Sequence, residues 1–332
     1  MAADTAPALA EPHARFAAAS RWGAVEVVFW LATLLPFFVA QDYLVLASQI
    51  AITALFAVSL DLILGYAGVV SLGHAAFFGL GAYAAGIVSK AGWGEPLLGL
   101  LLGGAVAGIV GYGASFIIAR FRHLALIMIT LGMGELLAQA ANSASWLTGG
   151  NDGLQGVKTM PLFGVLDFDL YGYTAYGYAL AVLFLGFLVA RRITNAPFGL
   201  ALRGIRENFV RMAAIGAPTL PHIRKAYTIA AIIAGVAGAV LTETTETVSL
   251  ETLGFQRSAD VLVMLILGGV GRLYGGIVGA IIYMIARDQF SDVNPQYWYF
   301  WIGLLLIVVV MFLPNGILGG LERILPSRRS GG

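Results

Sequence analysis

The sequence contains no cysteine and little charge of either sign. The absence of cysteine excludes disulfide frameworks, thiolate metal sites and cysteine nucleophiles. Charged residues make up only 11% of the 332 residues, whereas soluble domains carry about 25%. The formal net charge is +1, which gives no global electrostatic basis for nucleic-acid binding. The composition therefore argues against a water-soluble globular protein.

The sequence also lacks the common catalytic and nucleotide-binding motifs. A P-loop needs Gly-Lys followed by Ser or Thr, and none of Lys90, Lys158 and Lys225 follows a glycine. No Gly-x-Ser-x-Gly or His-Glu-x-x-His arrangement occurs, and the four histidines are scattered. We therefore expect no catalytic residue, no metal site and no cofactor bound by this chain.

Long apolar runs dominate what is present. Hydrophobic residues make up 59% of the chain, and the mean hydropathy is +0.85. A transmembrane helix needs about 20 largely apolar residues, fewer where a helix is broken or covered by its neighbours. About ten runs fit this length, and they predict an all-α, polytopic transmembrane bundle. They lie near residues 24–40, 43–64, 69–89, 96–119, 123–141, 173–190, 224–245, 258–271, 273–287 and 297–313. The third, eighth and ninth are Gly-rich or short, which predicts broken or re-entrant segments.

The positions of Lys and Arg predict the orientation, because basic residues accumulate in cytoplasmic loops. With both termini inside, 15 of the 19 basic residues lie on the cytoplasmic side. The four on the outside are Lys90, Lys158, Arg257 and Arg287. We expect residues 1–23 to be a cytoplasmic tail, residues 24–320 to be the transmembrane domain and residues 321–332 to be a second cytoplasmic tail.

Two long polar connections interrupt the apolar runs. The connection at residues 142–172 is predicted outside, and its Gly-Gly-Asn-Asp-Gly sequence at 149–153 favours a structured cap that receives a partner. The connection at residues 191–223 is predicted inside, and it is rich in arginine. Its apolar residues follow a helical period, which predicts a short amphipathic helix there.

Five segments, taken together, resemble one protein family. DLILGYAGVVSLGHAAFFGLGAY at residues 61–83 is similar to the signature early segment of the permeases of branched-chain amino acid importers, in particular the LivM-type subunit. TGGNDGL at 148–154 resembles the outer loop of that family. FGLALRGIREN at 198–208, followed by Gly216, resembles its cytoplasmic coupling loop. LGGVGRLYGGIVG at 267–279 and FLPNGI at 312–317 complete a resemblance that runs from about residue 40 to residue 320.

The resemblance implies the permease subunit of an ATP-binding-cassette importer in a bacterial inner membrane. Its expected partners are a homologous permease, two cytoplasmic ATPase subunits that use ATP and Mg²⁺, and a periplasmic solute-binding protein. The expected solute is a branched-chain amino acid. The resemblance places the ATPase coupling loop at Phe198, Arg203, Arg206, Glu207, Asn208 and Gly216, and it places binding-protein docking at Asn151 and Asp152.

The predicted spans contain a few ionisable and polar groups that are candidates for the translocation pathway. Ionisable groups are expensive inside a membrane, so each one is a functional candidate. A broken Gly-rich helix also exposes backbone groups to which a polar solute binds. The candidates are Asp61, Ser71, His74, Phe77, Phe78, Tyr83 and Glu135. A structural role stays open for the three ionisable candidates. Asp61 could cap or pair at the end of its span, and His74 could be a satisfied buried histidine on a helical face with Ser71. Glu135 could pair with Gln139.

Two alternatives to an importer of branched-chain amino acids remain open at this point. The same family is expected to include importers of urea, amides and organic acids. The membrane carboxylates and His74 are also compatible with an ion relay in a secondary transporter or channel. An ion relay would leave the arginine-rich cytoplasmic loop without a function.

Overall fold

A computed structural model describes residues 23–169 and 171–324, and the inner and outer sides are named below by the predicted orientation. The predicted N-terminal tail lies outside the described residues except for Gly23, as does most of the predicted C-terminal tail. Helices account for most of the described chain, which contains isolated β-bridges and no strand. They are α1 Ala24–Ala32, α2 Pro36–Val39, α3 Leu44–Asp61, α4 Ala75–Lys90, α5 Pro96–Ile118, α6 His123–Ser143, α7 Ser145–Thr148, α8 Tyr173–Asn195, α9 Pro197–Glu207, α10 Phe209–Ala214, α11 Thr219–Thr245, α12 Phe255–Gly268, α13 Leu273–Val293, α14 Trp298–Phe312 and α15 Gly316–Ile324.

The architecture is the predicted polytopic helical bundle, and each of the ten apolar runs forms helix. Six segments of the described chain are long and apolar enough to cross a membrane. They are Gln41–Tyr66, Pro96–Ile118, His123–Ser143, Tyr173–Asn195, Thr219–Thr245 and Trp298–Leu321. The helices α12 and α13 bend by 111° at a short break and together give a seventh candidate span or a re-entrant loop. The first and third runs form shorter apolar helices, so ten was an approximate count of spans.

Two helices form the centre of the bundle. The inner half of α3 is buried on all sides, from Ala51 to Asp61. The helix α11 packs against α3, α4 and α5 along its length. By contrast, α6 and α14 bury few residues and lie at the periphery. A helix that is apolar all round is expected in the interior of a membrane bundle, which agrees with the position of α3.

Glycines allow α4, α5 and α11 to pack backbone against backbone. A Cβ on Gly81 would overlap the carbonyl of Gly235, and a Cβ on Gly238 would overlap the carbonyl of Phe78. A Cβ on Gly103 would likewise come too close to the Ala239 Cβ. Small residues at helix crossings allow the close approach that stabilises membrane helices through van der Waals contact. This packing fixes α4 to the centre of the bundle.

The connection predicted at residues 191–223 is shorter than its sequence range and contains two helices. The flanking helix α8 continues to Asn195, and α11 begins at Thr219, so only residues 196–218 connect them. The predicted amphipathic helix is confirmed as α9, which buries Gly199, Leu202 and Ile205 against the bundle.

Candidate functional site

The chain leaves regular helix between α3 and α4, as the glycines at residues 65–81 predict. A π-helical turn, Leu62–Tyr66, follows α3 directly. Gly68 then has a φ of +70°, a conformation that glycine adopts without steric cost. The chain is irregular until α4 begins at Ala75. A π-turn adds one residue to the helical turn and is frequent at functional sites.

His74 lies at the end of this irregular segment and is fully buried. Its ring stacks on Phe56 at a centroid distance of 5.5 Å, and its Nε2 lies 2.9 Å from the Ser59 hydroxyl. The Ser59 hydroxyl donates to the Phe56 carbonyl, so Nε2–H is the donor to Ser59. Nδ1 has no hydrogen-bond partner among the described residues. The geometry corresponds to a neutral imidazole packed in the core, and Ser71 does not share a helical face with it.

The other pathway candidates in this region also lie inside the bundle. Ser71, Phe77, Phe78 and Tyr83 are all buried, and none of them lines the large outer cavity described below. Phe77 packs edge-on against Tyr227 of α11. Within one chain these residues therefore support the packing of the broken helix.

Asp61 lies at a junction of three segments on the inner side, which we call the inner junction. It comprises Asp61, Gly65, Arg206 and Gly271. The Asp61 carboxylate accepts a hydrogen bond of 2.7 Å from the Gly271 backbone N–H at the bend between α12 and α13. The Arg206 guanidinium of α9 donates to the Gly65 carbonyl in the π-turn. The inner junction thus connects the inner-side helix α9 to both breaks in the membrane helices.

Steric fit makes the inner junction tight. A Cβ on Gly65 would overlap the Asp61 carboxylate and the Gly271 backbone. Gly271 itself has a φ of +82°, which disfavours other residues. Arg203 adds a contact, because its guanidinium lies over the Tyr66 ring at 5.0 Å. Such a packed contact transmits a displacement of α9 to the bend with little slack.

The remaining coupling-loop candidates divide into structural and exposed residues. Phe198 stacks on His222 at 5.4 Å, and the Asn208 side chain caps α10 by accepting from the Arg211 N–H at 2.9 Å. Glu207 and Gly216 are exposed, and Gly216 adopts a φ of +83° in the turn after α10.

Two apolar side chains on the same inner surface were not predicted as site residues. Val210 is 75% exposed, and Ile215 is 72% exposed. A contiguous exposed apolar patch can mark a surface that receives another protein, so these two side chains are candidates for such a surface. Sequence periodicity assigned apolar residues to the buried face and so gave no signal for these two.

Glu135 lies on an exposed face of the peripheral helix α6. Gly132 and Gln139 are exposed on the same helix, at the spacing of one helical face. A Cβ on Gly132 would contact nothing within 4 Å. The pairing of Glu135 with Gln139, which the sequence left open as a structural role, is absent from the hydrogen bonds among the described residues, since neither side chain is bonded. A carboxylate on a membrane helix faces protein or water rather than lipid.

The outer connection forms the predicted structured cap. Gly149, Gly150 and Gly153 all have positive φ, and a bridge between Leu154 and Val248 fixes the cap to the segment after α11. Asn151 and Asp152 are exposed at its surface.

A cavity of about 1110 Å³ opens beneath this cap, which we call the outer vestibule. Its wall is formed by the cap, the end of α11, the segment 247–256, and the outer parts of α3, α12 and α13. Among the sequence-predicted site residues that the structure describes, Asp152 is the one that lines it.

Two buried or half-buried charged residues were missed by the sequence argument. Glu243 of α11 is buried, and it accepts a hydrogen bond of 2.5 Å from the Tyr178 hydroxyl. Its position inside the apolar run at 224–245 was a usable signal, since a carboxylate in a span is a functional candidate. Arg257 was assigned to an outer loop, but it lies in the first turn of α12 and lines the outer vestibule.

The comparisons with known proteins that give a match all point to the same family. The model of the family described as branched-chain amino acid transport system / permease component matches residues 43–310. The high-affinity branched-chain amino acid transport system permease protein LivM of Escherichia coli K12 is 26% identical over 309 residues, which cover 87% of this chain and 72% of that protein. A probable branched-chain amino acid transport permease protein LivM of Methanocaldococcus jannaschii is 24% identical, over 78% of this chain and 88% of that protein. No solved structure matches the chain.

The family match and the fold agree on the class of protein. The matched residues include the inner junction and most of the outer vestibule, and they cover well over half of the chain. The six long apolar helices make this a multi-pass membrane protein. The chain belongs to the branched-chain amino acid transport system permease family.

Proposed function

We propose that this chain is a transmembrane subunit of an ATP-driven importer that carries branched-chain amino acids across a bacterial inner membrane into the cytoplasm. In this proposal a homologous permease completes the pathway, two cytoplasmic ATPase subunits supply the energy, and a periplasmic binding protein delivers the solute. The relatives named LivM are described as branched-chain amino acid permeases, which supports this choice of solute over urea, amides and organic acids.

The inner junction is the observation that carries the proposal. ATP-driven transport requires a mechanical path from a cytoplasmic motor to the membrane helices. Here α9 connects through Arg206 to the π-turn, and the π-turn lies against the bend at Gly271. A loop that only contacts lipid headgroups would not need an arginine bonded to a carbonyl inside the bundle.

The exposed residues of α9 and α10 supply the proposed ATPase-docking surface. Val210 and Ile215 provide apolar contact, and Glu207 provides charge beside them. Within the predicted coupling loop, we propose a specific role for Arg206. Its guanidinium is turned toward Gly65, so it transmits motion rather than making the first contact with the motor.

The exposed face of α6 is the proposed seam with the second permease. Glu135 and Gln139 on this face need a polar environment inside the membrane, and a second subunit with a water-filled passage between the two provides one. In this arrangement Glu135 lies at the pathway. The buried residues Asp61, Ser71, His74, Phe77, Phe78 and Tyr83 shape the helix behind it.

An ion relay within this chain is less well supported. Asp61 lies at the inner junction, Glu243 lies near the outer end of α11, and Glu135 faces outward. Among the described residues, no hydrogen bond joins any two of these carboxylates.

Reconstitution tests the proposal. The chain is placed in liposomes with its sister permease, two ATPases and a binding protein, and uptake of labelled leucine, isoleucine and valine is measured. We expect saturable uptake that requires ATP. Absence of saturable uptake of all three would reject the amino-acid assignment. Uptake by this chain alone, driven by an ion gradient, would reject the ATP-driven mechanism.

A matched pair of variants tests the docking surface in the same system. Val210→Asp places a charge on α10, and Val165→Asp places one on an outer turn, where Val165 is 78% exposed. We expect only Val210→Asp to prevent co-purification of the ATPase subunits. Retention of the ATPases by Val210→Asp would place the docking surface elsewhere.

The orientation is testable with single cysteines, because the chain has none of its own. A cysteine at Asn151 should react with a membrane-impermeant maleimide added outside intact cells. A cysteine at Arg192 should react only after the membrane is opened. The reverse pattern would overturn the inner-membrane topology with both termini in the cytoplasm.

A further inference from the structure

The outer vestibule is lined by an arginine, Arg257, that forms no direct ion pair with a carboxylate among the described residues. Arg257 lies in the first turn of α12, where the N-terminal N–H groups and the helix dipole are already positive. No acidic residue lies in that turn, and the N-cap residue Gly254 has no side chain to bond the free N–H groups. An arginine at this position is electrostatically unfavourable unless an anion lies nearby.

The Arg257 guanidinium is held in place, but its Nε lacks a hydrogen-bond partner among the described residues. It lies over the ring of the buried Phe78 at 5.4 Å, so its position is supported from beneath by α4. The unpartnered Nε is buried. Arg287 of α13 repels Arg257, whereas Asp260 and Glu251 attract it, and all three line the outer vestibule. Among the described residues, neither arginine forms a direct ion pair with a carboxylate.

A fixed carboxylate lies one helical turn away from Arg257. Asp260 accepts hydrogen bonds at one oxygen, Oδ1, from the Tyr283 hydroxyl at 2.9 Å and from the Gln256 side chain at 3.1 Å. Its second oxygen, Oδ2, accepts no hydrogen bond from the described residues, so it is available to a donor from the outer vestibule. Glu251 and Asp288 line the same space and add negative charge.

Apolar side chains complete the lining on other sides of the outer vestibule. Leu46 of α3, Leu241 of α11 and Met284 of α13 face this space. The site therefore offers a guanidinium with helix N–H groups, a separate carboxylate and an apolar wall. This combination matches the carboxylate, the ammonium and the hydrocarbon side chain of a free amino acid.

We propose that the outer vestibule is a receiving site for a zwitterionic, apolar amino acid, with Arg257 and the N-terminus of α12 binding its carboxylate and Asp260 binding its ammonium. This inference deepens the proposed function and rests on it for the identity of the solute. The volume of about 1110 Å³ is larger than one amino acid fills, so binding here is weak and lets the solute pass onward. Phe78, a predicted pathway residue, acts as a positioning residue for Arg257.

Direct ligand binding to the purified chain tests this site without the rest of the transporter. The full chain is placed in lipid nanodiscs, and saturation-transfer difference NMR is recorded with leucine, leucinamide and 4-methylpentanoate. Leucinamide lacks the carboxylate, and 4-methylpentanoate lacks the ammonium. We expect leucine to bind most tightly, and we expect the other two to bind several-fold more weakly.

Two variants test which protein side chain binds each charged end of the ligand. Arg257→Gln should weaken leucine binding about tenfold, which corresponds to loss of one charged hydrogen bond, and should leave leucinamide unchanged. Asp260→Asn keeps an acceptor for Tyr283, so it should weaken leucine binding while leaving 4-methylpentanoate unchanged. Lys90→Gln removes an exposed outer charge away from the vestibule lining and should change none of the three.

The outcomes separate this inference from the proposed function. If wild-type protein binds leucinamide as tightly as leucine, the carboxylate site is rejected even where Arg257→Gln fails to fold. If Arg257→Gln folds and binds leucine normally, the assignment of Arg257 is rejected. If the reconstituted transporter carries leucine but the chain in nanodiscs gives no signal, the receiving site fails and the importer function stands. If leucine binds as proposed but no ATP-dependent uptake occurs, the importer function fails instead.

Discussion

The inner junction and the outer vestibule contain similar charged residues but differ in how those residues are bonded and packed. Each region contains an arginine and an aspartate, beside the helix breaks at the inner junction and in the first two turns of α12 in the outer vestibule. At the inner junction Arg206 and Asp61 are bonded to backbone groups, and glycines bring the segments into contact. In the outer vestibule Arg257 and Asp260 lie around open space and form no direct ion pair.

The difference indicates which region moves as a unit and which region receives a ligand. Bonded polar groups in a dry, packed contact hold segments in a fixed relation. A buried polar atom without a partner is costly, and each region contains one among the described residues: Asp61 Oδ2 at the inner junction and Arg257 Nε in the outer vestibule. The two regions therefore differ in packing, since contacting segments fill the inner junction whereas the outer vestibule surrounds open space.

Substitution of Gly65, at the closest contact of the inner junction, should have the largest effect on stability. Gly65→Ala places a Cβ into the Asp61 carboxylate and the Gly271 backbone. We expect destabilisation of about 3 kcal/mol or more from this overpacking, measured as a lower thermal unfolding midpoint in detergent. Gly113→Ala on the exposed face of α5 is the control, since its Cβ contacts nothing within 4 Å. The control should gain up to about 1 kcal/mol. Equal unfolding midpoints for the two variants would show that the inner junction is loose.

Substitution in the outer half of the bundle should have a smaller effect, because it removes one hydrogen bond and adds no clash. Tyr178→Phe leaves the buried carboxyl group of Glu243 without its donor. We expect a loss of about 1–3 kcal/mol in the same unfolding measurement. Tyr112→Phe on the exposed side of α5 should change stability by less than about 0.5 kcal/mol. Tyr178→Phe with no measurable loss would mean that water or another group satisfies Glu243.

The smallest effect is expected at the start of α8 on the outer surface. Burial of the Asp169 carboxyl favours its neutral form, but hydrogen bonds from the Thr174 and Tyr173 N–H groups outweigh it and lower the Asp169 pKa. Because the folded pKa is below the unfolded one, the stabilisation is present above the unfolded pKa of about 4 and is lost as pH falls further.

Asp169→Asn tests this assignment. We expect the variant to lose about 1 kcal/mol or less at neutral pH and to converge with the wild type as pH falls below about 4. The measurement is the unfolding midpoint of both proteins across this pH range. A difference that grows on acidification would contradict the sign of the pKa shift.

The helices were predictable from the sequence because each apolar run is long enough to bury its own backbone hydrogen bonds in lipid. The break after Asp61 was predictable for a related reason, since glycines cluster at residues 65–81. The amphipathic pattern of residues 200–212 predicted α9 and the burial of Leu202 and Ile205, but Leu200 in the same pattern is 59% exposed.

The partners of individual side chains were not predictable in the same way. Arg206 and Gly65 are 141 residues apart, and Gly271 and Asp61 are 210 residues apart. No periodicity relates such positions, so the sequence placed Arg206 in the coupling loop without indicating its contact with Gly65. Arg257 was read as a loop charge because a helix start and a loop carry similar residues at a membrane surface. The pairing of Glu135 with Gln139 stayed open because sequence spacing does not tell which helix face lacks a neighbour.

The central claim is that α9 drives the membrane helices through Arg206. The most direct measurement is the number of leucine molecules imported per ATP hydrolysed by the reconstituted transporter. For Arg206→Ala we predict a ratio about tenfold below wild type, with ATPase subunits still bound, because one charged hydrogen bond to the π-turn is lost. Arg192→Ala, at an exposed position on the same side, should keep the wild-type ratio. An unchanged ratio for Arg206→Ala would contradict the claim.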